Sequence, residues 1–473
     1  MNKFFYVASA MAFLLAFNAC DDDDDNTYTR TDSNSTSISA TTIEANRFVY
    51  EIMSDYYLWY KYMPTLNYKT QSDTEEYFES LLYSGDRFSF ILDDADSYFD
   101  SEEGISTEKG WDYILMRYDS SSDQVIAVIN YVYANTPAAN AGVKRGDIIL
   151  SVDGTQMTLS NYTIFANTSA TYGAKRYNEE TSSYDDVEYD IVAAEIQTSP
   201  VAEHSIFETE NGKVGYLLYM DYYSEFNDEL SEVFGEFKEA GVTDLILDLR
   251  YNTGGAMTAM QRLCSLIAPE SNVGNEDMLI YYEFNDKLKK AGYDKESTAT
   301  YFDSSIASNT LNLNRIVILV GSSTYSASEA TIIGLQPYVD VYTIGYTTGG
   351  KNTSMFVMTP EDFTNSKTGE AYFDSSINNW LIAPIVAQYY NSAGYTFDTS
   401  NKEGITPDYE FNEYGVNNMG TLGDADEPLT ALALEYFANG TIESDNNKAA
   451  QVVPQIVAHS DRFGGAIIDH KKK

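Results

Sequence analysis

The first part of the folded chain shows apolar residues at helical spacing. Residues 43–60 place large apolar side chains on one helical face, and residues 72–82 repeat the pattern over a shorter length. Thr41 lies before the first stretch and Ser72 opens the second, each with a glutamate three residues later, which is the pattern of an N-terminal capping box. We therefore expect residues 41–105 to form a small helical N-terminal domain.

Residues 106–195 change to a β-rich pattern. Val125–Val132 predicts a strand, Pro137–Ala141 a short helix, and Asp153-Gly154 a hairpin turn. In this order the segment resembles a PDZ domain, and Gly110-Trp111 stands where the carboxylate-binding loop is expected. The resemblance implies that peptides bind by adding a strand to a sheet edge, so that the domain engages or gates their C-termini.

From residue 214 onward, apolar strands alternate with helices. The predicted strands are Val214–Met220, Leu245–Leu249, Arg315–Val320 and Val341–Ile344, and the helices between them include Met257–Ile267 and Ala327–Gln336. Strands separated by helices predict an α/β fold with a mainly parallel sheet covered on both faces. Ligands of such sheets bind where strand ends lead into loops, so these loops are the expected place of chemistry.

Three loops that follow three of these strands carry distinctive sequences. They are 248–255 (Asp-Leu-Arg-Tyr-Asn-Thr-Gly-Gly), 321–329 (Gly-Ser-Ser-Thr-Tyr-Ser-Ala-Ser-Glu) and 345–351 (Gly-Tyr-Thr-Thr-Gly-Gly-Lys). Together they resemble the D-L-R-x-N-x-G-G, S-A-S-E and G-x-x-x-x-G-K signature of the C-terminal processing, or tail-specific, peptidases. The interval from Ser326 to Lys351 agrees with that family, and so does a PDZ-like segment directly upstream.

The resemblance covers residues 106–438 and carries expectations about the whole fold. It implies a peptidase core over residues 196–440, with a mainly parallel sheet of crotonase-like ββα units. With the PDZ domain over 106–195 and the helical cap over 41–105, the predicted fold class is α/β. Residues 441–473 are interpreted as a polar C-terminal tail.

The residue types in the loops fit nucleophilic catalysis. A serine hydroxyl attacks a peptide carbonyl only when a base accepts its proton. The histidines, His204, His459 and His470, lie outside the three loops. A neutral lysine can replace histidine in this role, as in other Ser/Lys variants of the catalytic triad. We therefore interpret Ser326 as the nucleophile and Lys351 as the general base.

Other residues of the loops have more than one interpretation. By resemblance, the backbone amides of Gly255 and Ala327 form the oxyanion hole. Glu329 is either a partner of the helix dipole in the first turn or an auxiliary acid that orients the lysine. Ser326 alone would be read as a helix N-cap, and the presence of Lys351 is what favours catalysis.

Two positions after the lysine depart from the family pattern. Asn352 stands where the family usually has glycine, and Met355 stands where a glutamine often assists the base. The serine and lysine are both present, so these departures concern the support of Lys351 rather than its identity.

Composition excludes some functions. The chain has 29 Lys+Arg against 72 Asp+Glu, for a formal net charge of −43, which argues against nucleic acid as a partner. Three scattered histidines argue against a metal site, and neither a metal nor an organic cofactor is expected. Of the two cysteines, Cys264 lies in an apolar helical run and is interpreted as a buried structural thiol.

The N-terminus has the features of a bacterial lipoprotein signal. A basic start and the apolar stretch Phe4–Phe17 lead to Cys20, which predicts a signal peptide over 1–19 and lipid attachment at Cys20. Residues 20–40 are predicted to be a flexible acidic tether. Its run Asp21–Asp25 is either a surface-export signal or a solvated spacer. The protein is expected in the cell envelope, as an outer-membrane lipoprotein that faces the periplasm or the cell surface.

The sequence therefore predicts a serine peptidase. Its expected substrates are peptides or unfolded proteins, exported or external, cleaved through an acyl-enzyme on Ser326. The membrane is a partner through lipid on Cys20, and the oligomeric state is left open. The alternative, from another functional class, is a non-catalytic surface lipoprotein that uses the same fold to bind peptides.

Overall fold

The computed structural model describes residues 38–119, 121–365, 368–443 and 456–459. The predicted signal peptide, Cys20 and the acidic run lie outside these residues. The chain divides into two compact units. Among the described residues, the first contains 38–96 together with those in 282–298 and 353–388, and the second contains those in 97–281, 299–352, 389–443 and 456–459.

The helices account for the apolar periodicity of the chain. They are α1 (Ala40–Tyr56), α2 (Thr74–Leu81), α3 (Ala95–Glu102), α4 (Pro137–Asn140), α5 (Asn227–Ala240), α6 (Met257–Ile267), α7 (Glu270–Gly274), α8 (Asp286–Lys290), α9 (Lys295–Thr298), α10 (Ala327–Leu335) and α11 (Pro428–Asn439). Within the described ranges, none of these helices has the length and apolar character needed to span a membrane.

The strands belong to several sheets. They are β1 (Phe90–Leu92), β2 (Ile105–Glu108), β3 (Trp111–Arg117), β4 (Val125–Val132), β5 (Ile148–Val152), β6 (Thr155–Gln156), β7 (Ser169–Asn178), β8 (Ser183–Val192), β9 (Ala194–Gln197), β10 (Val201–Thr209), β11 (Gly212–Tyr219), β12 (Val242–Asp248), β13 (Met278–Phe284), β14 (Thr300–Tyr301), β15 (Arg315–Val320), β16 (Asp340–Gly345), β17 (Thr353–Met355), β18 (Leu381–Ala383), β19 (Ile385–Asn391), β20 (Tyr409–Glu410) and β21 (Ile456–His459).

The first unit is built around α1 and α2. Their apolar faces join one core with side chains from residues 353–388, including Phe373 and Ile377. The predicted N-caps of these helices are wrong by one or two residues. Ser39 Oγ accepts the amide of Thr42 at 3.0 Å, and Asp73 Oδ1 accepts that of Glu76 at 2.9 Å. The cap is the residue whose side-chain oxygen reaches an amide in the first turn, and neighbouring Ser, Thr and Asp residues compete for this position.

In the second unit, strands from residues 111–192 and β21 form an antiparallel sheet with the order β21-β3-β4-β5-β7-β8, and β6 pairs with β5 beside this path. The predicted strand Val125–Val132 is confirmed as β4, and the predicted turn joins β5 to β6, with φ of 50° at Asp153 and 71° at Gly154. Trp111 stacks on Phe165 with ring centroids 5.3 Å apart, and both rings lie in the core of this sheet. These residues form the region predicted to be a PDZ domain.

The larger sheet of the second unit has the order β10-β11-β12-β15-β16-β20. Every neighbouring pair is parallel except β10 and β11. The central strands β12 and β15 are apolar and almost fully buried, as expected for a sheet covered on both faces. Because β12, β15 and β16 are parallel, their carboxyl ends lie at one edge, and all three predicted catalytic loops begin there.

Candidate active site

Ser326 lies in the turn between β15 and α10, in a backbone conformation that few residues adopt. Its φ is 55° and its ψ is −111°, in the positive-φ region that L-residues normally avoid. Its carbonyl accepts the amide of Ala330 at 2.8 Å, so α10 begins directly after the serine. The first-turn amides of α10, at the positive end of the helix dipole, therefore lie beside Ser326.

Ser328 follows two positions later but has a different environment. Its hydroxyl donates to the carbonyl oxygen of Asn252 at 3.0 Å, and the residue is completely buried. Ser326 is partly exposed. Of these two serines, Ser326 is therefore the one that a substrate can reach, while Ser328 joins α10 to the first loop.

The Glu329 carboxylate connects the serine loop to the lysine loop. Its Oε2 accepts the backbone amides of Ser326 at 3.0 Å and Lys351 at 2.8 Å. Its Oε1 accepts the amide of Gly350 at 2.9 Å and the hydroxyl of Thr348. These contacts indicate a third role for Glu329, beyond the two open interpretations. It positions the backbone of both Ser326 and Lys351, the predicted nucleophile and base.

Glu329 is completely buried, and burial raises the pKa of its carboxyl group, although the hydrogen bonds from Thr348, Lys351, Gly350 and Ser326 oppose this shift. The chain also comes close at Gly404. A Cβ at this position would lie 2.2 Å from Glu329 Oε1, so only glycine fits. Gly404 thus lies directly against the carboxylate.

Tyr389 makes a second connection between the two loops. Its hydroxyl lies 3.0 Å from the carbonyl oxygen of Ser326 and 2.7 Å from that of Lys351, and its one proton is shared between these acceptors. The side chain is 1% exposed. Sequence reasoning did not find this residue, because a tyrosine at the end of an apolar strand is indistinguishable from a core residue.

The first loop brings Gly254 close to the serine and Gly255 against the backbone of Tyr222. A Cβ on Gly254 would lie 2.8 Å from Ser326 Cβ, and one on Gly255 would lie 2.7 Å from the carbonyl oxygen of Tyr222. Their φ values are 105° and 133°, which favour glycine. In the described part of the chain, neither the amide of Gly255 nor that of Ala327 donates to another protein group. Both amides are therefore available to an acceptor from outside the described chain, so their predicted role in an oxyanion hole stays a prediction.

Asn252 fixes the shape of the same loop. Its side-chain nitrogen donates to the carbonyl oxygen of Tyr219 at 2.9 Å, and its Oδ1 accepts the amide of Gly254 at 2.8 Å. The Gly254 amide is therefore occupied within the loop, while that of Gly255 is left for another acceptor.

A buried cluster of charged side chains includes two residues of the first loop, Asp248 and Arg250. Arg250, 1% exposed, donates through Nη2 to Asp248 at 2.6 Å and through Nη1 to Glu413 at 2.9 Å and Glu427 at 2.8 Å. Arg145, from the PDZ region, donates to the same Glu413 oxygen at 2.7 Å. The cluster therefore joins the PDZ region to the loop that holds Gly255. The sequence indicated only Asp248 and Arg250, since the other members lie far away in the chain.

Both departures from the family pattern have an identifiable environment. Asn352 is buried, and its side-chain nitrogen donates to the carbonyl oxygen of Phe397 at 2.8 Å, so the amide has a structural partner. Met355 ends β17 and packs at the border of the apolar core of the first unit.

Among the described residues, His204 and Cys264 lie outside the three catalytic loops. Within the residues that the structure describes, no group of three or more His, Cys, Asp or Glu could hold a metal ion. His204 lies on β10 with its Nε2 3.3 Å from Glu236. Cys264 is completely buried, and burial raises the pKa of its thiol to about 12, in agreement with the predicted structural role.

Family models match three successive parts of the chain. Residues 213–411 match peptidase family S41, residues 44–90 match the peptidase S41 N-terminal domain, and residues 128–163 match a PDZ domain. The fold and the matches thus combine a PDZ domain with a domain of peptidase family S41. The predicted resemblance to C-terminal processing peptidases is confirmed.

Individual relatives agree with this assignment. A carboxyl-terminal-processing protease of Synechocystis sp. is 29% identical over 221 residues, which are 46% of this chain and 48% of the relative, so the match spans about half of that protein. The crystal structure of an S41 protease from Bacteroides fragilis has a TM-score of 0.64 and 25% identity, over 83% of this chain and 97% of that chain. The photosystem II D1 C-terminal processing protease shares the fold, with a TM-score of 0.50 and 18% identity, over 87% of this chain and 100% of that chain.

Proposed function

We propose that the protein hydrolyses peptide bonds of exported or external polypeptides, with Ser326 as nucleophile and Lys351 as general base. One observation carries this proposal. A single buried carboxylate, that of Glu329, accepts the backbone amides of both residues. A serine and a lysine with unrelated roles would not need a common anchor, whereas a nucleophile and its base must keep a fixed geometry.

The proposed reaction passes through an acyl-enzyme. Neutral Lys351 accepts the proton of the Ser326 hydroxyl as the oxygen attacks the peptide carbonyl. The amides of Gly255 and Ala327 stabilise the resulting oxyanion. Lys351 then returns the proton to the leaving amine, and water hydrolyses the ester with the lysine again as base. No step requires a metal or an organic cofactor.

The PDZ region is proposed to engage substrate C-termini and to gate the peptidase domain. The charged cluster supports this role, because Arg145 and Arg250 share an oxygen of Glu413. A displacement of the PDZ region that withdraws Arg145 would leave buried carboxylates with less compensating charge. Such a change would alter the interactions of Arg250 with these carboxylates and so the position of the loop that carries Gly255.

We also propose that the protein is an outer-membrane lipoprotein anchored through Cys20. The signal-like residues 1–19 and the cysteine that follows them support this location. Cys20→Ser should release the protein from membranes into the soluble exported fraction. A Cys20→Ser protein that remains membrane-bound would contradict lipid attachment at this residue.

The proposed activity is tested with protein that starts at Asn26 and therefore needs no lipid. It is incubated with an unfolded protein, and the fragments are identified by mass spectrometry. We expect cleavage by the wild type, none by Ser326→Ala, and no effect of a chelator. Ser328→Ala is the matched control and should retain the cut pattern. Equal fragments from wild type and Ser326→Ala would leave the non-catalytic peptide-binding lipoprotein as the better account.

A further inference from the structure

A strand from the C-terminal tail lies on the edge of the PDZ sheet. β21 pairs antiparallel with β3, from Ile456 opposite Met116 to His459 opposite Ile114. On its other side β3 pairs with β4, so β3 would be the edge strand of this sheet if β21 were removed. β21 therefore satisfies backbone groups of β3 that would otherwise be open for pairing with another chain.

The side chains of β21 also pack on the PDZ region. Ala458 is 2% exposed and belongs to the same apolar core as Trp111 and Phe165. Ile456 packs against a second apolar cluster that contains Ile114 and Met116. Both backbone pairing and apolar burial therefore hold this short segment. In the sequence, this strand is indicated by the short apolar run Ile456-Val457-Ala458, which lies in a tail interpreted as polar.

The position of β21 coincides with the predicted peptide site. PDZ domains bind a peptide as an added antiparallel strand next to the carboxylate-binding loop. Here the expected loop, Gly110-Trp111, leads directly into β3. Because the pairing is antiparallel, β21 runs from the Arg117 end of β3 towards the Trp111 end. β21 thus has both the location and the direction expected of a bound peptide.

Lys109 directly precedes the expected loop, and its buried ammonium donates to the carbonyl oxygen of Phe165 at 3.4 Å. The residue is 7% exposed, and its ammonium lies 5.8 Å from the ring centre of Trp111 and 5.6 Å from that of Tyr172. Burial lowers the pKa of Lys109 to about 8, so a nearby anion would stabilise its charged form. The C-terminal carboxylate of a peptide is such an anion, and an internal strand such as β21 has none to offer.

We propose that Ile456–His459 is an intramolecular ligand of the PDZ edge strand, which substrate C-termini must displace in order to bind. This inference rests on the proposed function, in which the PDZ region engages those C-termini. A tethered segment has an effective concentration of about millimolar, so weak strand pairing is enough to keep dilute peptides out. A peptide that adds a carboxylate contact has an advantage over β21 and can displace it.

The test measures binding in the Ser326→Ala background, so that the probe is not cleaved. The probe is a fluorescein-labelled peptide with the sequence of residues 452–459 and a free C-terminal carboxylate. It is titrated into the full chain, a chain that ends at Glu443, and Ala458→Asp. We expect both altered proteins to bind the probe about tenfold or more tightly than the full chain, because the competitor is removed or weakened.

A matched control lies on the opposite edge of the same sheet. Val192 is 64% exposed at the end of β8, and Val192→Asp should bind the probe as the full chain does. Equal affinity of the full chain, the shortened chain and Ala458→Asp would overturn the inference. Thermal unfolding of each protein shows that the PDZ sheet remains folded.

The failure of this inference is distinguishable from failure of the proposed function. Hydrolysis of a short fluorogenic peptide by the full chain with Ser326 present tests the function alone. A full chain that hydrolyses this peptide, with no difference in probe binding, would overturn only the role of the tail. A clear binding difference in a chain without hydrolysis would support the role of the tail and overturn the peptidase.

Discussion

Glu329 and Glu427 are both buried carboxylates near the catalytic loops, but their hydrogen-bond partners differ. Glu329 accepts three backbone amides and one threonine hydroxyl, and burial raises its pKa. Glu427 is buried too, and burial raises its pKa, yet the charges of Arg250 and Arg145 together with hydrogen bonds from Arg250 and the Thr430 amide outweigh burial and lower the pKa. Neutral donors alone hold the carboxylate at one site, whereas at the other the Thr430 amide and hydroxyl are supplemented by ion pairs that connect distant parts of the chain.

The largest expected effect comes from breaking the ionic cluster. Arg250→Met leaves Asp248, Glu413 and Glu427 with only Arg145 as a buried cation and should cost about 4 kcal/mol of unfolding free energy. The matched control is Arg315→Met. Arg315 pairs with Asp244 at 2.6 Å but is partly exposed, so its loss should cost less than about 1 kcal/mol. Denaturant unfolding measures both, and equal losses would show that burial does not distinguish the two ion pairs.

The next effect separates catalytic geometry from stability. Glu329→Gln replaces one acceptor oxygen by an NH₂ group, which is a donor and faces backbone amides that are also donors. Because two donors cannot form a hydrogen bond, the backbone of Ser326 or Lys351 must shift. A displacement of about 1 Å lowers turnover about a hundredfold, and we expect this loss in kcat with little change in KM. Glu427→Gln should instead act mainly on unfolding free energy. If both variants lost turnover and stability in the same proportion, the proposed contrast between the two sites would be wrong.

Much of this arrangement was predicted from the sequence, and the reasons for the gaps are physical. The parallel sheet, α6 and the three loops follow from apolar runs and local motifs, which act over a few residues. Tyr389, Arg145 and Glu413 were missed because their roles depend on contacts across more than a hundred positions or between separate loops. The sequence identified Glu329 as a candidate but did not define its role, because a glutamate at this position can either interact with the helix dipole or connect two loops.

A smaller effect is expected at Tyr389. Tyr389→Phe removes the hydroxyl that lies near the carbonyl oxygens of Ser326 and Lys351 but keeps the buried ring. We expect a loss of about 1 kcal/mol in stability and a few-fold fall in kcat, because one hydrogen bond is lost. Tyr338→Phe is the control, since the Tyr338 hydroxyl donates to the carbonyl oxygen of Met278, outside the catalytic loops. It should leave kcat unchanged.

The smallest effect is on the pH dependence of stability. The pKa of Glu427 is lowered from 4.5, so its stabilisation is complete above that value and is lost as pH falls through its folded pKa. The pKa of Glu329 is raised from 4.5, so its contribution is complete below 4.5 and is lost as pH rises through its folded pKa.

Unfolding free energies of the wild type and the two glutamine variants, measured against pH, test these opposite signs. The difference between wild type and Glu427→Gln should shrink as pH falls below 4.5. The difference between wild type and Glu329→Gln should shrink as pH rises above 4.5. Each unit of pKa shift corresponds to about 1.4 kcal/mol. Two differences with the same slope would contradict the contrast.

The central claim, that Ser326 and Lys351 act as one catalytic unit, is tested most directly by comparing Ser326→Ala, Lys351→Ala and the double variant on a short fluorogenic peptide. We predict that each single variant lowers kcat at least about a thousandfold and that the double variant is no slower than either, because nucleophile and base act together. A Ser326→Ala enzyme with wild-type turnover, or a double variant whose loss is the product of the two single losses, would contradict this account.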